Sequence, residues 1–108
     1  MRNVPIWINS AFLIAAAASA SGQTMSGNGA KQCADFMQAV QLNSESAING
    51  YISWAQGFIS GFNWSNVQGR DVVIDHGGLN YWLINYCGAN PDIGFYEAVQ
   101  KLISEQAR

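Results

Sequence analysis

The chain has 108 residues, 49% of them apolar and only 11% charged, with a formal net charge of −2. That length holds one domain and leaves no room for a second. Five basic residues, with no basic block among them, argue against nucleic acid as a partner.

The first 20 residues read as a cleaved signal peptide rather than as fold. Arg2 supplies the positive start, and Ile6, Trp7, Ile8 and then Ala11 through Ala18 supply the apolar stretch. Ala18-Ser19-Ala20 matches a small-x-small cleavage site. The apolar run is shorter than the ~20 residues a membrane span needs, and Ser-Gly-Gln follows it instead of basic residues, so no stable membrane anchor is expected. Cleavage leaves Lys31, Arg70, Lys101 and Arg108 against seven acidic residues, a side-chain balance of four minus seven, or −3. The expected location is the periplasm, with secretion beyond it as the variant.

Residues 21–30, SGQTMSGNGA, are small and polar and read as a flexible N-terminal arm. A helical domain is assigned to 31–108. Its first predicted helix runs from Lys31 to Val40, with Cys33, Phe36, Met37 and Val40 on one face. Residues 41–46 form a turn in which Asn43 or Ser44 is the candidate cap.

The second predicted helix runs from Ala47 to Asn63. Ile48, Tyr51, Ile52, Ala55, Ile59 and Phe62 line its apolar face, and Trp54 and Phe58 widen it. A helix apolar over so much of its circumference is central or meets a partner. Gly50, Gly57 and Gly61 each cost up to ~1 kcal/mol against alanine, and the Gly57-x-x-x-Gly61 groove is expected to receive another helix of the domain.

A loop is expected over 64–78, with room for one helical turn. Val72, Val73 and Ile74 have strand propensity but no evident partner strand. Asp75 is the candidate cap of the third helix, and His76-Gly77-Gly78 places its start at Leu79. That helix is predicted to run to Cys87, with Leu79, Trp82, Leu83, Tyr86 and Cys87 facing inward and Gly88 ending it. Asn90-Pro91-Asp92 reads as the start of a fourth helix. It extends to Glu105 and buries Phe95, Ala98, Val99, Leu102 and Ile103.

The expected fold is all-α: a small four-helix domain with one disulfide. Cys33 and Cys87 are the only cysteines, export places them in an oxidising compartment, and both fall on inward-facing stripes. Two cysteines 54 positions apart with one histidine do not make a zinc set, and there is no C-x-x-C for redox work.

Reactive groups are few. His76 is the only histidine, and no serine sits in a nucleophile elbow. Asp71, Asp75 and His76 read as a solvated loop and a helix cap rather than a metal site. No catalytic residue, metal or cofactor is expected, and the chain is not expected to be an enzyme. Aromatic residues are plentiful, which points to proteins as partners. Trp54, Phe58, Phe62 and Trp64 are the candidate partner-binding residues, and a homodimer is compatible with such a face.

Taken together, Cys33-Ala-Asp35-Phe36, Trp54-Ala-Gln-Gly57-Phe58-Ile-Ser60-Gly61, Asp71-Val-Val-Ile and Tyr86-Cys87-Gly-Ala-Asn90-Pro91, leading into Phe95-Tyr-Glu-Ala98-Val99, resemble the HdeA/HdeB family of small periplasmic acid-stress chaperones. The likeness spans Cys33 to Ile103. It implies a helical domain held by the Cys33–Cys87 disulfide that loosens in acid and holds unfolding clients through exposed apolar surface. Acid would move the side-chain charge of residues 21–108 from −3 to +5, as seven carboxylates and His76 take up protons, adding self-repulsion. A W-x-x-G-x-x-x-G segment of this kind is also similar to the Rap1a/Tai immunity proteins of type VI secretion. That likeness implies instead a fixed face that binds one folded partner.

Overall fold

A computed structural model describes residues 24–66 and 69–107. The predicted signal peptide lies outside them. The described residues form a short 3-10 turn, Gly27–Ala30, and four helices: α1 (Cys33–Gln41), α2 (Glu45–Ser65), α3 (His76–Ala89) and α4 (Phe95–Gln106). The fold is therefore the all-α, four-helix arrangement expected from the sequence. Among the described residues no helix is long and apolar enough to cross a membrane.

One apolar stripe per helix builds the core. Cys33, Phe36 and Ala39 come from α1, and Tyr51, Ile52, Ala55 and Ile59 from α2. Leu79, Leu83 and Cys87 come from α3, and Phe95, Ala98, Val99, Leu102 and Ile103 from α4. The rings of Phe36, Tyr51 and Phe95 meet in a triad, with centroids 5.1 to 5.4 Å apart in edge and tilted contacts. Burial, and after it the negative charge of Asp35, pushes the Tyr51 phenol above its ordinary value. The disulfide joins α1 to α3, Cys33 to Cys87, with Cα atoms 4.9 Å apart and both residues fully buried.

The connections depart from expectation in instructive ways. α1 ends in a Schellman turn. Ser44 N–H reaches back to the Ala39 carbonyl and Asn43 N–H to that of Val40, while Asn43 takes the left-handed conformation at φ 53° that asparagine tolerates. Asn43 thus closes α1, and α2 begins at Glu45, two residues before the predicted start.

The third helix begins at His76 rather than Leu79. Asp75 is its cap as predicted, accepting a hydrogen bond from Gly78 N–H at 2.7 Å. A carboxylate at the positive end of the helix dipole offsets the poor propensity of Gly77 and Gly78. The helix also runs through Gly88 to Ala89, so Gly88 does not end it. Asn90 does: its backbone N–H donates to the Cys87 carbonyl, and its side-chain amide donates to that of Tyr86.

Asn90-Pro91-Asp92 therefore closes α3 and does not open α4, which starts at Phe95 after Gly94. The intervening backbone caps a different helix. The carbonyls of Pro91 and Ile93 accept the Ala34 and Cys33 N–H groups at 3.0 and 2.8 Å. Two donors that the first turn of α1 would otherwise leave unpaired are satisfied beside the disulfide.

The stretch between α2 and α3 contains no helical turn among its described residues. Asn63 holds it instead. Its side-chain amide donates to the Val72 carbonyl at 3.0 Å and its Oδ1 accepts the Val72 N–H at 2.9 Å, as a neighbouring strand would. Val72 is thereby seated in the core, and Val73 is left 86% exposed.

Part of the stretch read as an arm, residues 26–30, lies against α2. Trp54 Nε1–H donates to the Ser26 carbonyl at 2.9 Å, and Gly29 lies buried against the indole. A β-carbon at Gly29 would run into the Trp54 ring. Gly29→Ala is expected to displace residues 26–30 and cost about 1–3 kcal/mol. Urea denaturation together with a red shift of tryptophan emission would register this. An unchanged midpoint and spectrum would mean that the segment is not bound to Trp54.

Candidate interaction surfaces

The four residues predicted to form a docking face do not form one patch. Trp54 and Phe58 stack, with centroids 5.2 Å apart, and Trp54 also meets the edge of Phe95 at 6.1 Å. Both are half-buried, and Trp54 serves as the seat of the 3-10 turn. Phe62 is half-buried against the core. Trp64, two positions on and hence about 200° around the helix, is 90% exposed. Of the four, Trp64 alone stands clear of the domain.

The glycines of α2 lie on its outward side and are exposed. A β-carbon at Gly57 or Gly61 would meet nothing within 4 Å. Among the described residues, the expected packing of another helix into the Gly57-x-x-x-Gly61 groove does not occur. Gly57→Ala and Gly61→Ala are therefore each expected to stabilise the domain, by about 0.5–1 kcal/mol. Thermal unfolding tests this, and destabilisation by either substitution would show an internal packing role.

A second aromatic surface was not foreseen. α3 is apolar around most of its circumference, yet Leu79, Leu83 and Cys87 alone supply its fully buried stripe. Trp82 and Tyr86, expected to face inward, are half-buried and stack on each other at 4.9 Å with a 16° tilt between ring planes. Tyr81 stands beside them, 73% exposed. With Asn85 and Ala89, and Glu105 contributed by α4, these rings line an open groove of about 460 Å³. The sequence carried one signal for it: a helix with more aromatic surface than its buried stripe needs.

The groove is polar only at a few points. Asn85 donates its amide N–H to the Tyr81 carbonyl at 2.9 Å, which fixes the side chain and leaves its Oδ1 free of that bond. Glu105 lies 3.9 Å from Lys101, one turn earlier on α4, in a half-exposed pair. Such a pair contributes little to stability.

Titratable chemistry is thin elsewhere. Among the described residues no polar or charged residue is buried, and no group of three or more His, Cys, Asp or Glu is placed to hold a metal ion. His76 is exposed at the first position of α3 and borders a largely polar groove of about 600 Å³ with Asn43, Glu45 and Asn80. No protein-family model, curated protein or solved structure matches the chain.

Proposed function

We propose that this chain is an exported protein-binding module that works in its folded state, of the immunity or inhibitor type, and is not an enzyme. One observation carries the reading: the groove between α3 and α4 is lined by Tyr81, Trp82 and Tyr86 on a helix fixed to α1 by the disulfide. Aromatic side chains give large contact area at small entropic cost and dominate protein interfaces. A face already in place loses little freedom on binding. The uncharged outer side of α2, ending at Trp64, is the secondary contact. Export to the periplasm is part of the proposal and is supported by the first 20 residues and by a disulfide that an oxidising compartment maintains.

An acid-activated holdase of the HdeA type is the second reading. It is favoured by a specific arrangement: in each of the two helices joined by the disulfide, an aspartate at the cap or in the first turn accepts a backbone N–H. Asp35 accepts from Gln32 and Asp75 from Gly78. Loss of these bonds would free the two helix starts while the disulfide still tethers α1 to α3. Against it, acid finds no buried carboxylate to protonate among the described residues.

Light scattering of an acid-sensitive client at pH 3 and pH 7, with and without the oxidised domain, separates the two. The folded-state reading predicts no protection at either pH. Suppressed aggregation confined to pH 3 would overturn it in favour of the holdase.

A further inference from the structure

We propose that the groove between α3 and α4 receives an arginine side chain of the protein partner; the inference rests on the folded-state binding reading and names the chemistry of its occupant. Three aromatic rings and two acceptors converge there. Trp82, Tyr81 and Tyr86 line the groove, and the negative face of such a ring attracts a cation. Trp82 and Tyr86 are stacked on each other, and a planar guanidinium can extend such a stack as a further layer where a compact ammonium cannot. Glu105 sets a carboxylate at the rim, where a guanidinium can bind it through two N–H groups.

Asn85 completes the selection. One of its two amide N–H groups is committed to the Tyr81 carbonyl, and its Oδ1 is an acceptor that a donor-rich ligand can use. A groove with π faces, an amide oxygen and a carboxylate offers much to a donor-rich cation. Lys101 lies 3.9 Å from Glu105 in a half-exposed contact. That pair is weak enough for a bidentate guanidinium to displace. The net negative charge of the chain further favours approach of a basic surface.

The test is an NMR titration of the oxidised domain with three capped tripeptides, Gly-Arg-Gly, Gly-citrulline-Gly and Gly-Leu-Gly. Citrulline keeps the shape of arginine and removes its charge. The arginine peptide is expected to shift the Trp82 indole N–H and the Tyr81 ring signals to saturation. Citrulline should bind about three- to tenfold more weakly, and Glu105→Gln should weaken arginine binding by a similar factor. Glu105 is exposed near the end of α4, so this variant keeps the fold. Equal binding of arginine and citrulline, or no effect of Glu105→Gln, would overturn the inference. If the leucine peptide saturates the same signals and arginine does not, the groove docks an apolar side chain; the inference falls and the binding reading stands. If none of the three peptides shifts these signals, both fall.

Discussion

Replacing Cys33 and Cys87 together with serine is expected to remove about 4 kcal/mol of stability. The disulfide spans 54 positions, and a cross-link closing a loop of that length restricts the unfolded chain by roughly this amount. A domain of this size has about 5–10 kcal/mol in total, so the variant should sit close to the edge of folding at 37 °C. The loss reaches beyond the two sulfur atoms. Cys87 leads directly into the turn whose Pro91 and Ile93 carbonyls cap the first two N–H groups of α1, so releasing α3 also uncaps α1. Urea denaturation of the oxidised, reduced and double-serine forms measures the effect. Reduced wild type and double-serine variant should unfold together, well below the oxidised form. Coincident midpoints for all three would contradict this role of the bridge.

Phe95→Ala is expected to cost about 3–5 kcal/mol, the range for deleting a buried aromatic ring. Phe95 is fully buried and joins two parts of the core. Its ring meets Phe36 of α1 and both Tyr51 and Trp54 of α2. Its backbone N–H donates to the Lys31 carbonyl at 2.7 Å, a bond that survives the substitution, so the loss reports on packing. Both the aromatic triad and the seat of the 3-10 turn lose a wall. Near-UV circular dichroism should show weakened aromatic signals along with the lowered urea midpoint. Phe95→Leu, which refills most of the volume, should cost less than half as much. Equal losses for the two variants would show that the specific ring contacts, and not cavity volume, set the cost.

The inward stripes were legible in the sequence because a 3.6-residue period leaves few choices for Phe36, Ile52, Leu83 or Leu102. The disulfide was legible for the same reason, since both cysteines fall on those stripes. Punctuation was read less well. Asn90-Pro91-Asp92 has the composition of a helix start, but its groups serve other helices: Asn90 closes α3, and the Pro91 carbonyl caps α1. Gly77, Gly78 and Gly88 weaken a helix locally, yet tertiary packing of Leu79 and Cys87 on either side carries the helix through them. Gly29 looked like linker because only the position of Trp54, in another element, reveals why no side chain fits there. The exposed aromatic surfaces were the least legible. Trp82 falls beside the buried stripe of α3, and only the packed structure shows that Leu79, Leu83 and Cys87 fill the core without its full burial.

The central claim is that the oxidised domain presents its aromatic groove from a fold that does not depend on pH. Near-UV circular dichroism of the oxidised domain between pH 7 and pH 3 tests it most directly, because the signal arises from the packed rings of Phe36, Tyr51, Trp54, Trp82, Tyr86 and Phe95. The account predicts that the tertiary spectrum at pH 3 keeps its shape and most of its amplitude. Collapse of that spectrum with helical content retained would contradict it, and would make the groove a neutral-pH shell around a chain that acid opens.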